Sequence, residues 1–358
     1  MGLRDTHDPD RQTLDRLFLA TYEELRRLAS SVRRSDPYAT LSPTTLVHEA
    51  WLKLAGSARF AATGQSACTD SQLSTASLAK LDAGGDIVLA SFAIDEVTST
   101  TTSSTGSVTT GTSAAAFGGV ESLSAAELAA ARGQTIDGCT VSNQTAAETA
   151  PALSAPDSYL NAGSPSVSGP GLSPALALAP ESLTNGLLYE SAIANGVLTG
   201  GTYTISSNGS AAVGPFSASL GFPASFTVTN FSSIATINRA QPLTINWTGG
   251  GSGIVTVTVS TSAAVSGSPT NPSTYVIHDV GVSCSVPASQ GTFTMPTALT
   301  SMLLAATLDP TSGTEAILQV VAASTTTTNL TATLATGGSI DAGYWGYILG
   351  VSKNLIVQ

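Results

Sequence analysis

The chain has 358 residues, ample length for one to three domains with buried cores. Only 10% of the residues are charged and the net charge is −11. Past residue 60 Ala, Ser, Thr, Gly and Val dominate, which excludes a solvated disordered chain and argues against long surface helices. Nine of the thirteen Lys and Arg residues fall in the first sixty positions, so the rest of the chain lacks the cations that phosphate contacts need, and nucleic-acid binding there is excluded.

The head comes first. From Thr13 to Arg34 the apolar residues Leu14, Leu17, Phe18, Tyr22, Leu25, Leu28, Ala29 and Val32 recur at steps of three and four, the stripe of an amphipathic helix. Thr13 suits the N-cap, and Ser35-Asp36-Pro37 ends the helix because Pro disfavours helical geometry at the residue before it. A second helix begins at Ser42-Pro43, carries its apolar stripe on Leu46, Val47, Ala50, Trp51 and Leu54, and stops at Gly56.

The stretch DRLFLATYEELRRLAS followed by TLSPTTLVHEAWLKLAG resembles the opening of extracytoplasmic-function (ECF) sigma factors, over about residues 12 to 60. The resemblance implies a sigma-region-2-like segment that docks on the RNA polymerase core, with Thr45, His48, Glu49 and Lys53 near the polymerase-facing surface. A working factor of that family continues into helices that open and read the promoter. Here Phe60 is followed by AATGQSACTDSQLSTASLAK and no basic helix comes later, so no direct DNA reading is expected.

The remainder reads as short strands bounded by turn residues. Clear ones are Asp86–Ile94, Thr202–Ser206, Ala212–Leu220, Ser225–Asn230, Leu243–Thr248, Ile254–Thr261, Ser273–Val280, Gly281–Val286, Thr292–Met295 and Ala316–Ala323, with one or two more in Tyr344–Gln358. Asn208-Gly209 signals a hairpin, and Gly249–Gly253 a flexible turn. Ser122–Arg132 reads as a helix, and the Thr/Ser tracts Thr98–Ser113 and Ser324–Thr328 as long loops or edge strands. The expected fold is mainly β: antiparallel, Ig-like β-sandwich domains behind a small α-helical hairpin. The expected segments are 1–60, 61–135, 136–221 and 222–358. A loose echo links Leu81-Asp82-Ala83-Gly84, Leu160-Asn161-Ala162-Gly163 and Ile340-Asp341-Ala342-Gly343, as shared turn chemistry or a duplicated unit. The part that includes NRAQPLTINWTGG resembles uncharacterised secreted β-rich proteins of soil bacteria, which implies a fold and a compartment but no reaction.

Little in the chain points to chemistry. Nucleophile-elbow, phosphate-loop, HExxH and EF-hand spacings are missing, and neither a cofactor nor an enzymatic activity is expected. His278 and Asp279 lie in one strand, so alternation sends them to opposite faces. Asp82 and Asp86, with Asp95-Glu96, form a weak calcium candidate against the bland reading of solvated carboxylates. Cys68, Cys139 and Cys284 are an odd set with no CxxC pair. Free buried thiols, a Cys68–Cys139 bridge and a Cys139–Cys284 bridge all remain open. The N-terminus lacks an apolar signal-peptide core and no run of apolar residues is long enough to span a bilayer, which places the chain in the cytoplasm as written. Two functions compete: a polymerase-binding head on a structural or ligand-binding β region, or a secreted structural or adhesive β protein with an adventitious head.

Overall fold

The computed structural model describes residues 75–124, 134–136, 138–147, 158–183, 186–268, 271–309, 312–324 and 329–358. The expected helical hairpin of the head lies outside them. So does most of the helix expected at Ser122–Arg132, although Ser122 and Leu123 themselves belong to a strand.

Helix α1 (Thr75–Asp82) leads into a long hairpin, β1 (Ile87–Thr102) and β2 (Val108–Leu123). Then come β3 (Gln134–Ile136), β4 (Cys139–Ala147), β5 (Ser158–Leu160), β6 (Ser166–Gly169), β7 (Leu172–Ala177), β8 (Ala179–Leu183), β9 (Gly186–Ile193), β10 (Gly201–Ser207) and β11 (Phe216–Phe222). The second half holds β12 (Phe226–Val228), β13 (Thr236–Ile237), β14 (Leu243–Gly249), β15 (Ile254–Ser268), β16 (Asn271–Pro287) and β17 (Thr292–Met295). The one-turn helix α2 (Thr297–Thr300), β18 (Thr314–Ala323), β19 (Ala342–Asn354) and β20 (Ile356–Val357) close the chain.

Eleven strands form one sheet in the order β3-β4-β16-β15-β18-β19-β1-β2-β5-β9-β8. Its strands come from all three β segments expected from the sequence, so their boundaries do not divide it. Period-two patterning explains which face is covered. Val255, Val257 and Val259 of β15 and Leu318 and Val320 of β18 are fully buried on one face. Thr256 and Thr258 turn to the other, where their hydroxyls pair with Ser285 at 2.9 Å and Ser283 at 3.0 Å.

Smaller sheets cover the apolar face and produce two cores. Strands β11-β10-β6-β7 lie over the β19-β1-β2-β9 side, where Phe92, Ile94, Tyr189, Tyr203, Ile205, Phe216 and Trp345 pack together. Strands β12-β14-β17 lie over β4-β16-β15-β18, where Ile245, Trp247, Val257, Val282, Met295 and Leu318 pack. Each buried indole finds a carbonyl, as a buried N–H must: Trp345 donates to Tyr203 at 3.2 Å and Trp247 to Ala288 at 2.8 Å. Phe226 packs against both cores and joins them.

The fold is mainly β, as its composition implies, with two departures from the expected pattern. First, β1–β19 and β5–β9 are parallel pairs inside an otherwise antiparallel sheet, and β13–β20 is a small parallel sheet of its own. Parallel neighbours need a long crossover, and β19 arrives only after the rest of the body has been laid down. Second, Asn208-Gly209 does not close a two-residue hairpin. Gly209 does take positive φ (76°), but the loop runs to Phe216 because Ser210 accepts the amide of Ala212 and Val213 bridges to Leu334 instead. Of the two readings open for the Thr tract at 98–113, the strand holds: it is the distal half of the β1–β2 hairpin, where β-branched Thr suits extended backbone.

Cys139 and Cys284 are directly opposed across β4 and β16, with Cα atoms 4.3 Å apart, and are joined by a disulfide. Of the three alternatives left open by the sequence, this is the bridge formed. Cys68 lies outside the described residues. The bridge closes a separation of 145 residues, for which the loop-closure model gives about 5 kcal/mol of stabilisation. A non-reducing peptide map should recover the Cys139–Cys284 linkage. The double variant Cys139→Ala/Cys284→Ala should lose up to about 5 kcal/mol in urea unfolding and become insensitive to reductant; equal stability with and without the bridge would contradict this.

Candidate functional site

The four polymerase-facing candidates, Thr45, His48, Glu49 and Lys53, lie outside the described residues. The calcium candidates are visible and are not gathered into one set. Asp82 ends α1, and Asp86 precedes β1. Asp95 and Glu96 stand about 30 Å farther along the extended strand and, being adjacent, face opposite sides of it. Asp95 accepts the amide of Ala115 at 2.8 Å. Among the described residues no group of three or more His, Cys, Asp or Glu side chains could hold a metal ion.

His278 and Asp279 do diverge. His278 Nε2 meets Asn143 Oδ1 at 2.8 Å, whereas Asp279 accepts from the Ser262 hydroxyl at 2.5 Å. The Ser262 hydroxyl rests on the Asp279 carboxylate, but His278 is turned to Asn143 and joins neither, so the three do not form a Ser-His-Asp relay. Arg239 donates to the carbonyl of Ser301 at 3.2 Å, and its Nε is buried without a hydrogen-bond partner.

A carboxylate with no sequence motif around it organises the start of the body. Asp341, just before β19, accepts from Ser77 of α1 at 2.7 Å and from the amide of Val88 at 2.8 Å. It also pairs with Lys80 at 3.4 Å. Its own amide donates to the Val88 carbonyl at 2.8 Å. These bonds dock α1 against the sheet, where Leu81 packs on Ile87, Leu89, Leu123 and Ala342. At the opposite end of the same strand pair, the Asn354 side chain accepts from the Thr102 amide at 2.7 Å and donates to its carbonyl at 2.8 Å. The Asx-Ala-Gly echo was the only sequence signal for Asp341. Its three copies do different work: one caps α1, one places Asn161 against the Tyr189 hydroxyl at 3.1 Å, and one clamps β1 to β19.

Two ionisable groups are held in unfavourable surroundings on the β1–β19 pair. Glu96 lies in register between Leu349 and Ala114. Its Oε2 is buried with no hydrogen-bond partner, and burial pushes the carboxyl above the ordinary Glu range. Lys353 donates to the Phe231 carbonyl and stands over that ring, 4.6 Å from its centroid. Burial holds its ammonium below the usual Lys range. No periodicity marked Glu96, because the regular apolar run ends at Ile94 although the strand continues to Thr102.

Residues 2–66 match the family model described as "ECF sigma factor". The N-terminal segment is therefore sigma-factor-like, and the match stops before the described β body begins. No curated protein matches the chain. Among solved structures, a match to "Yeast delta-COP-I mu-homology domain" has 9% identity and a TM-score of 0.16, covering 76% of this chain and 98% of that one. A likeness at that level carries no argument about fold or role.

The sign of the Glu96 effect follows from its cause. The fold prefers the protonated acid, so the associated stability is complete below the ordinary Glu value of 4.5 and is lost as pH rises through the elevated folded value. Glu96→Gln should melt above the parent in mildly alkaline buffer, and the gap should close as pH falls below 4.5. Thermal melts across that range check it; a gap independent of pH would mean that ionisation plays no part.

Proposed function

We propose that the N-terminal segment docks on the RNA polymerase core without reading promoter DNA, and that the β body is a structural or binding module, not an enzyme. The observation that carries this reading is the family match over residues 2–66. Lys53, Glu49, His48 and Thr45 would form the contact, by resemblance to that family. The body supports a structural role through its two cores. In this reading the chain works in the cytoplasm, beside the polymerase. Core polymerase should be captured by the full chain, and the Glu49→Lys/Lys53→Glu variant should lose capture while keeping the parent's melting temperature. Equal capture by parent and variant, or none by the parent, would remove the transcriptional reading.

The Cys139–Cys284 bridge favours a second reading: an exported structural or adhesive β protein in which the head has no role in transcription. Disulfides form and persist in oxidising compartments and are rare in the cytoplasm. Rapid alkylation in intact cells separates the two. Reduced Cys139 and Cys284 would favour the cytoplasmic reading, and an oxidised pair in an extracytoplasmic fraction would favour export.

A further inference from the structure

The β1–β2 hairpin outgrows the strand beside it. Strand β9 covers the outer edge of β2 from Gly118 to Ala114, where Ala114 pairs with Ile193, the last residue of β9. Strand β2 extends six residues beyond that point, and among the described residues the segment from Val108 to Ser113 pairs only with β1. It is exposed: Val108 keeps 60% of its surface, one of two large apolar side chains so open.

An open edge is a template for another strand, and folded proteins usually blunt it with charge, proline, bulges or short length. Several other edges of this protein carry those devices, although β11 and the far half of β4 do not. Strand β8 contains Pro180 and Glu181, and β7 contains Pro174. Strand β3 has three residues, and β17 has four before Pro296. The free end of β15 is broken by register shifts between Ala264 and Ser268. The β2 edge has none of them. Its register with β1 runs without a shift from Ile87↔Leu123 to Thr102↔Val108, and no charged or proline residue occurs from 97 to 113.

We infer that this edge is an interaction surface for a second copy of the chain, paired antiparallel across a two-fold axis so that two long sheets become one. The segment is self-complementary. With the axis at Thr110, Thr110 meets its own copy, Thr109 meets Gly111, and Val108 meets Thr112, which covers the exposed valine. Thr–Thr hydroxyl pairs already close the same hairpin internally, Thr98 with Thr112 at 2.9 Å and Thr100 with Thr110 at 3.3 Å. The segment's neutrality also matters: with no charged residue from 97 to 113, pairing it with its own copy sets no like charges opposite one another. An isologous contact of this kind closes at the dimer. Six residues a side bury less than a standard interface, so the dimer is weak and concentration-dependent.

Sedimentation velocity on the full chain, from low to high micromolar concentration, tests the inference. The parent should shift from monomer to dimer, and amides of residues 108–113 should gain protection from hydrogen exchange in the concentrated sample. Thr110→Lys sets two like charges directly opposite across the axis. It should stay monomeric with the parent's melting temperature, while Thr110→Ser should still dimerise. A parent that stays monomeric throughout overturns the inference, whether or not the edge accepts a foreign extended peptide. A dimer that persists in Thr110→Lys overturns it too, by placing the interface elsewhere.

Discussion

Strands β1 and β19 hold the body together. On one side of the pair lie β2, β5, β9 and β8; on the other lie β18, β15, β16, β4 and β3. Among the described residues no other strand pairing connects those halves within the sheet. The pair is parallel, the less favourable arrangement per residue, and it is secured at both ends by side chains: Asp341 at Val88 and Asn354 at Thr102. Those bonds satisfy backbone groups where the regular ladder runs out. The helix that follows the head is tied to the same carboxylate through Ser77 and Lys80.

The covering layer meets above that pair. Strands β11 and β12 both touch β19, joined only by the short connection at 223–225. The turn at Gly249, Gly250 and Gly251, with φ of 82°, 82° and 63°, brings the Gly250 carbonyl to the Tyr347 hydroxyl at 2.9 Å. Only glycine enters three successive positive-φ positions without strain. Tyr347 also stacks edge-on against Phe222 at 5.7 Å. The body is thus a set of small sheets fitted to one large one, with its polar chemistry spent on internal pairing.

Much of this was legible in the sequence, and the failures have physical causes. Strands with strict alternation, such as Leu243–Thr248 and Thr292–Met295, read correctly because one face meets a core. The Thr tract left loop and edge strand both open, since its residues have similar neighbours on both faces and leave no period. The segments at 273–280 and 281–286 read as two strands but form one, because Gly281 can continue an extended run as easily as break it. Parallel pairing was invisible: nothing local to β1 states that its neighbour lies at the far end of the chain. Asp341 looked like a turn residue, and its role depends on Ser77 and Val88, which only the fold brings near. The disulfide was one of three open choices until the β4–β16 register opposed its two sulfurs.

Ser99 and Ser352 share a hydrogen bond across 253 residues of chain. A ribosome adds roughly 5–20 residues each second, so β1 leaves it on the order of tens of seconds before β19 exists to pair with it. Throughout that interval the sigma-like segment is already made, while the edge of β1 that β19 will occupy stands open. The order of synthesis gives the head a period of independence from the body, and it makes the unfinished hairpin the part of the nascent chain most in need of protection.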